Sequence, residues 1–467
     1  MKFHILTYGC QMNFAESDIL SRRLERAGYT PTELLEQAEI ILINTCCVRA
    51  TAETRAYGRL RSLRPLKESG SLRVLGVCGC LAQQDAETML ERIPHLDLVV
   101  GTRALDRLAD HVAKLVSEKG RISDIGDGPA LTLPSEEISP ASVEHSVTNA
   151  EHYPVFVSIT RGCSNRCAYC VVPGVRGALE SLNSSEILRQ VRHLVDSGFK
   201  EVTLIGQNVN AYREGNLNFS HILRKVHEVE GLKRIRFVTS HPKDLSDDII
   251  DAVAELPKVC EYFHMPLQSG SERILKLMRR GYTVDHYRAL VEKIRERVVC
   301  PAGRGKVAIS TDLIVGFPGE TEEDFLATLQ CVREIRWDGA YTFMYSARKG
   351  IEAELLPNKI PHETKLARLQ ILIDIQKEIS HGINQERVGK IEEVLVEASC
   401  PEHQSQISNA SVTKEGLWRT RTRNNKIVSV QKSSLEKYLS VGDIVAVQIV
   451  EARAYTLLGE VVSANDA

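Results

Sequence analysis

The alternation of apolar and polar positions repeats one order from the first residues onward: a strand, a short loop, an amphipathic helix. The apolar run Phe3 to Tyr8 leads through Gly9 and Cys10 into a helical stretch, Glu16 to Ala27, that stops at Gly28. The same order returns at Glu39 to Ile43 before Asn44-Thr45-Cys46, and at Arg73 to Val77 before Cys78-Gly79-Cys80. A fourth run, Leu98 to Val100, precedes a helix over Asp106 to Val116. Strands that alternate with helices predict an α/β fold with a doubly wound parallel sheet, covered on both faces. Ligands of such sheets bind beyond the carboxyl ends of the strands, and Cys10, Cys46 and Cys80 each stand just past one. The topology lets three distant cysteines converge.

From about Arg121 to Glu151 the chain turns polar and rich in Ser, Pro, Glu and Gly, which reads as a linker. A second βα series follows, with apolar runs at Val155 to Ile159, Val202 to Ile205, Ile235 to Val238, Tyr262 to Pro266, Ala308 to Val315 and Ala340 to Met344. Helical spacing separates them, so six units predict a partial (β/α)6 barrel whose chemistry lies at the mouth formed by the βα loops. A long helical pattern runs from Pro361 to about Arg387. After Gly389 short alternating runs predict a small antiparallel β-barrel. The expected division is therefore 1–120, a linker over 121–148, 149–385 and 386–465.

The length, 467 residues, calls for more than one core. No run of about 20 apolar residues appears, and the opening residues lack a secretory signal, so the expectation is a cytoplasmic chain with no membrane span. Twelve cysteines in that compartment point to metal ligation or redox chemistry rather than structural disulfides. A formal net charge of -2 gives no chain-wide attraction for nucleic acid, so any RNA contact must come from local basic patches.

The segment Arg161-Gly162-Cys163-Ser164-Asn165-Arg166-Cys167-Ala168-Tyr169-Cys170 decides the chemistry. It directly follows the first strand of the second series. Three thiolates on one short loop can each bind a different iron of a cubic 4Fe-4S cluster and leave the fourth iron without a protein ligand. A zinc site would want a fourth ligand, and the nearest candidate, His152, precedes the strand.

Cys163, Cys167 and Cys170, with an aromatic before the last of them, resemble the signature of radical S-adenosylmethionine enzymes. The resemblance implies that the open iron chelates S-adenosylmethionine, whose one-electron reduction gives a 5′-deoxyadenosyl radical that abstracts hydrogen. It places Tyr169 near the adenine, where a plain packing aromatic is the other reading. Gly206-Gln207-Asn208 resembles the segment that contacts the methionine or ribose part, and Asp312 to Glu320, with Ile314, the adenine side. Gln207 and Gln268 have two readings, cofactor contacts or satisfied buried amides.

The resemblance extends over nearly the whole chain and narrows to the methylthiotransferases, whose N-terminal domain carries a further three-cysteine cluster. Gly9-Cys10-Gln11-Met12-Asn13, Asn44-Thr45-Cys46 and Gly79-Cys80 match that pattern, which gives Cys10, Cys46 and Cys80 the role of ligands. Cys47 and Cys78 lie close enough to confuse the assignment, while Cys260, Cys300, Cys331 and Cys400 read as packing or surface residues. Two 4Fe-4S clusters and S-adenosylmethionine are the implied cofactors: one cluster makes the radical, the other delivers sulfur, and a second S-adenosylmethionine supplies the methyl group.

Gly206 to Tyr212, Thr239-Ser240-His241-Pro242 and Met265 to Gly270 resemble the branch that acts on N6-isopentenyladenosine next to the anticodon of transfer RNA. Related branches act on threonylcarbamoyladenosine or on an aspartate of a ribosomal protein. A non-catalytic iron-sulfur RNA-binding protein is the reading from another class. Gly174 stands where the family has a bulky aromatic, and Arg176 faces substrate, a carboxylate or solvent. The C-terminal barrel resembles the RNA-binding TRAM module. There Arg419, Arg421 and Arg423 alternate onto one face, either to track phosphates or as a solvated surface, and Trp418 stacks or packs. The implied partners are transfer RNA, a flavodoxin- or ferredoxin-like electron donor and a sulfur or cluster donor protein, around a monomer.

Overall fold

The computed structural model describes residues 1–48, 50–126, 128, 131, 153–300, 306–348, 350–399, 417–431 and 439–462. His152, Cys400 and most of the expected linker lie outside these.

The first layer is a six-stranded parallel sheet. Its strands are β1 (Lys2–Tyr8), β2 (Thr30–Pro31), β3 (Ile40–Thr45), β4 (Val74–Gly79), β5 (Leu98–Gly101) and β6 (Ile122–Asp124), in the order β2-β1-β3-β4-β5-β6. Its helices are α1 (Gln11–Arg26), α2 (Ala50–Ser62), α3 (Arg64–Glu68), α4 (Cys80–Arg92) and α5 (Leu108–Ser117). The central strands β3, β4 and β5 are buried at every position because both faces are covered. Ile41, Ile43, Leu75 and Val77 pack toward α2 and α4, while Ile40, Leu42, Val74 and Leu98 meet Leu20 and Leu24 of α1 and Val112 of α5. Two strands were not expected. β2 is a two-residue edge carrying a proline. β6 occupies the start of the supposed linker, where Leu98, Val99 and Val100 pair with Ile122, Ser123 and Asp124.

The second layer is the partial barrel. β7 (Phe156–Ser158), β10 (Glu201–Ile205) and β13 (Arg234–Phe237) form one parallel ladder, and β14 (Tyr262–His264), β15 (Ala308–Val315) and β16 (Gly339–Met344) a second. Short pairs β8 (Thr160–Arg161) with β9 (Glu180–Ser181) and β11 (Arg213–Glu214) with β12 (Leu217–Asn218) decorate the loops. A parallel bridge from Ile235 to Val259 and a bond from Cys260 N–H to the Ile235 carbonyl (2.8 Å) join the two ladders. The outer helices are α6 (Val172–Arg176), α7 (Ser184–Asp196), α8 (Phe219–His227), α9 (Asp247–Glu255), α10 (Glu272–Leu277), α11 (Val284–Arg297) and α12 (Glu322–Ile335). One continuous core runs through the barrel and includes Tyr212, Phe237, Phe263, Tyr287 and Trp337.

The long helix α13 (His362–Gln385) leads into a closed barrel of β17 (Ile391–Ser399), β18 (Leu417–Thr422), β19 (Ile427–Gln431), β20 (Ile444–Ala452) and β21 (Thr456–Val461), in the order β17-β18-β19-β21-β20. The expected barrel was antiparallel, but β19 and β21 run parallel. An odd number of strands cannot alternate direction all the way around a closed ring, so one seam must be parallel. Among the described residues no helix is long and apolar enough to cross a membrane.

Candidate functional site

Strand order brings Cys10, Cys46 and Cys80 together. The connections leave β1 and β3 in opposite directions across the sheet, and a crevice opens beyond the carboxyl ends at such a switch point. Cys10 caps α1, Cys46 follows the last residue of β3, and Cys80 opens α4. A buried amide net fixes these loops: Asn13 Nδ2 donates to Asn44 Oδ1 (3.0 Å), and Asn44 Nδ2 donates to the Asn13 carbonyl (2.9 Å) and Ser17 Oγ (3.0 Å). Gly79 holds φ at 94° with its α-carbon so close that a Cβ would lie 2.8 Å from the Thr45 carbonyl, so only glycine fits.

The thiols are electrostatically unequal. Cys10 is pulled down to about 6, first by the hydrogen bond from Cys46 and also by the Arg176 charge. Cys80 is lowered by a bond from Cys47 and by Arg176, and the two donors, Cys46 and Cys47, are pushed up by the same bonds. Cys78 stays in the strand, fully buried among apolar side chains. Cys47 therefore reaches the crevice beside Cys80, which spacing alone left open.

Arg176, from α6 of the second layer, completes this crevice. Its Nε donates to Cys80 Sγ (3.1 Å), and its two terminal nitrogens clamp the Glu16 carboxylate at 2.6 and 3.1 Å. Of the readings left open, the carboxylate holds. Arg176 is 4% exposed and cannot reach an RNA backbone.

The second thiol set lies on the loop after β8. The Cys163 N–H donates to the Gly177 carbonyl (3.1 Å), Ala168 to Met278 (3.0 Å) and Cys170 to Cys167 (3.0 Å), so backbone bonds shape the loop without using a sulfur. Gln207 Oε1 accepts the Gly162 N–H at 2.6 Å, which makes it a holder of the loop. Burial pushes Cys170 up to about 12 and raises Cys163. A buried neutral thiol gives up its proton on binding metal, so loading must release protons. Arg280, which spacing did not single out, is 5% exposed and donates to Cys167 Sγ (3.2 Å) and the Pro266 carbonyl (3.1 Å). Each thiol set thus has one buried guanidinium on one sulfur.

Tyr169 and Ile314 meet in one apolar cluster with Phe317 and Tyr345. Gln268 holds φ at 77°, a strained value for a side-chain-bearing residue, and its backbone exchanges bonds with Asp312 (2.8 Å) and Ile314 (2.9 Å). At the carboxyl ends of the barrel strands, Thr160 Oγ1, Asn208 Oδ1, both Asn210 amide atoms, Ser240 Oγ, His241 Nε2 and Tyr345 Oη are buried without a hydrogen-bond partner. Orphaned groups in such number cost stability unless a polar ligand meets them, and they fit a zwitterionic nucleoside such as S-adenosylmethionine. Among the described residues no three His, Cys, Asp or Glu side chains close on a single metal ion. A cubane asks for wider spacing, since each thiolate takes a different iron.

Three family models match the chain: the Radical SAM superfamily over residues 157–332, the uncharacterized protein family UPF0004 over 2–101 and the TRAM domain over 385–462. A tRNA-2-methylthio-N(6)-dimethylallyladenosine synthase of Caldicellulosiruptor saccharolyticus is 42% identical over 98% of this chain and 92% of its own length. The chain belongs to this synthase family. A second synthase, from Dictyoglomus thermophilum, is 41% identical over 100% of this chain and 99% of its own. The solved structure of the radical S-adenosylmethionine methyltransferase TsrM from Kitasatospora setae shares the fold, with a TM-score of 0.55 at 12% identity over 76% of this chain and 77% of that one. Synthase-family membership brings 4Fe-4S clusters and S-adenosylmethionine as cofactors.

The TRAM barrel corrects the expected arginine face. Arg423 is 3% exposed: its guanidinium meets Glu261 at 2.8 to 3.2 Å and the Val259 carbonyl at 2.7 Å. Arg421 is held by Glu397 in the barrel wall. Both are consumed by structure. Arg236 donates to the Thr422 (2.7 Å) and Arg423 (2.8 Å) carbonyls, so the turn after β18 docks on the amino ends of the central strands, opposite the mouth. Arg419, 46% exposed in its side chain and 3.1 Å from Glu397, alone of the three faces solvent.

Proposed function

We propose that this chain replaces the hydrogen at C2 of N6-isopentenyladenosine, next to the anticodon of transfer RNA, with a methylthio group. The observation that carries the reading is the pairing of two separate thiol sets, one beyond β1, β3 and β4 and one at the barrel mouth, in a chain alike to such synthases over its whole length. Cys163, Cys167 and Cys170 would hold the cluster that takes S-adenosylmethionine, and Cys10, Cys46 and Cys80 the auxiliary cluster. When bound, these groups supply the one-electron chemistry that an unactivated aromatic C–H bond requires.

The chain's own residues supply placement. Arg176 and Glu16 tie the helix after one thiol loop to the crevice of the other. Met12 and Ala15 of α1 pack against Ile205 and Phe156 of the barrel, which docks the layer that carries one thiol set onto the layer that carries the other. Tyr169, Gln268 and Ile314 line the cofactor side, and Arg419 gives the RNA a phosphate contact. A flavodoxin- or ferredoxin-like reductant and a sulfur or cluster donor complete the cycle in the cytoplasm, with the enzyme a monomer.

Mass spectrometry of transfer RNA nucleosides from a deletion strain tests the reading. Loss of the 2-methylthio nucleoside with accumulation of N6-isopentenyladenosine is expected. An unchanged nucleoside profile would point to another substrate.

A further inference from the structure

His241 stands in the turn after β13. Its Nδ1 accepts the Lys243 backbone N–H at 3.2 Å and caps the short helical turn Pro242–Asp244. A neutral imidazole carries one proton, so that bond places it on Nε2 and makes Nε2 a donor. This nitrogen is buried without an acceptor, in a residue that is 9% exposed. Two residues before it, Thr239 is β-branched and held at φ 73°, a strained conformation that persists only where surroundings enforce it. Two bonds do so: the Val209 N–H donates to the Thr239 carbonyl (3.2 Å) and the Ser240 N–H to the His264 carbonyl (3.1 Å).

The turn is built onto the thiol loop. The His241 ring meets Tyr282 edge-on at 5.6 Å, the Tyr282 hydroxyl accepts from Arg280 Nε (2.9 Å), and Arg280 donates to Cys167 Sγ (3.2 Å). Asp244 accepts from Asn208 Nδ2 (2.6 Å) and Asn165 Nδ2 (3.4 Å), and Lys243 Nζ donates to Asn165 Oδ1 (2.9 Å). A fixed donor tautomer, strained into place beside the loop, lacks only an acceptor.

We propose that His241 is a cofactor-binding residue whose Nε2–H donates to an acceptor oxygen of bound S-adenosylmethionine, its carboxylate or a ribose hydroxyl. The proposal rests on the reading that Cys163, Cys167 and Cys170 hold the cofactor's cluster.

The test compares anaerobically reconstituted full-length wild type, His241→Phe and His241→Gln by equilibrium dialysis with S-adenosylmethionine and by binding of an isopentenylated anticodon stem-loop RNA. The phenyl variant keeps the volume and withdraws the donor, and the glutamine amide restores one. With iron and sulfide contents equal to wild type, His241→Phe is expected to bind S-adenosylmethionine about five- to tenfold more weakly, His241→Gln within about threefold of wild type, and both to bind RNA unchanged. Wild-type affinity for S-adenosylmethionine in His241→Phe, or a loss confined to RNA, overturns the proposal. If His241→Phe fails to load iron, His241→Asn decides, since its short amide keeps the Lys243 cap but cannot reach as Nε2 does, and the same loss is expected. Wild-type protein that takes up no iron at the Cys163 loop overturns the underlying reading, a failure distinct from that of His241.

Discussion

Arg176 Nε lies 3.1 Å from Cys80 Sγ across a chain separation of 96 residues, while the same guanidinium clamps Glu16. Both side chains of the pair are almost fully buried, so removing one leaves the other's charge without compensation. Breaking a buried pair this way costs about 3–5 kcal/mol. Arg176→Met is therefore expected to lower the urea midpoint strongly, with Glu16→Gln in the same chain recovering part of the loss. Lysine cannot reproduce the two-pronged geometry and should recover less than half. Additive effects of the two single changes would show that the pair is not coupled.

Cys46 and Cys47 are adjacent in sequence and point to different partners, Cys10 and Cys80. If Cys46 carries the auxiliary cluster, Cys46→Ala should lose about four irons per chain while still producing 5′-deoxyadenosine, and Cys47→Ala should keep its iron. The reverse iron contents would move the ligand one residue on. Alanine at Cys163, Cys167 or Cys170 should abolish 5′-deoxyadenosine altogether.

The three-layer order was legible because periodicity, glycine-marked loops and strand-end cysteines are local signals. The strand ends of β3 and β15 fall within about two residues of expectation for that reason. What stayed hidden is pairwise. No spacing reveals that Arg423 meets Glu261 rather than phosphate, or that Arg280 reaches Cys167, because those partners are 162 and 113 residues away. Alternation along β18 put three arginines on one face, but Arg423 lies past the strand end at Thr422, where the turn docks and alternation no longer applies. β6 was missed because a three-residue edge strand has too little apolar content to stand out from polar chain.

The arginine reassignment predicts two kinds of loss. Arg423→Ala strands the buried Glu261 carboxylate and should cost about 3–5 kcal/mol of stability. Arg419→Ala should leave the melting curve within about 0.5 kcal/mol, weaken RNA binding and reduce the slope of log affinity against log salt by about 0.7–0.9. Salt titrations of a fluorescent anticodon stem-loop measure the second. An unchanged slope would remove Arg419 from the RNA contact.

Thr239 is a β-branched residue in a left-handed conformation, so glycine there should relieve strain. Thr239→Gly is expected to raise stability by about 1 kcal/mol in urea melts, despite the greater entropy glycine gives the unfolded chain. The His241 turn would lose its enforced direction. Weaker S-adenosylmethionine binding should therefore accompany the gain, and unchanged binding would mean that the strain serves something other than the cofactor.

Asp18 lines a cavity of about 620 Å³ between α1 and the barrel, together with Cys10, Phe14, Arg22 and Tyr153. Burial pushes its carboxyl up to about 6 from an ordinary value of 3.8, with Arg22 pulling the other way. The folded state thus binds this proton more tightly than the unfolded one. Below the ordinary value the acid is neutral in both states, and its folded form costs little. As the pH rises through about 6 the carboxylate ionises in place, and stability held at low pH is lost. Asp18→Asn should therefore match wild type near pH 4 and exceed it by roughly 1–3 kcal/mol at pH 8, read from urea midpoints. His193, 3.1 Å from Arg22 on the far side, is pushed down to about 4 by burial first and by Arg22 next, and so has the opposite sign: its contribution is present above about 6.5 and lost as the pH falls. Wild type and Asp18→Asn share that histidine, so the difference between their curves isolates the carboxyl. A constant gap at all pH values would assign the effect to packing instead.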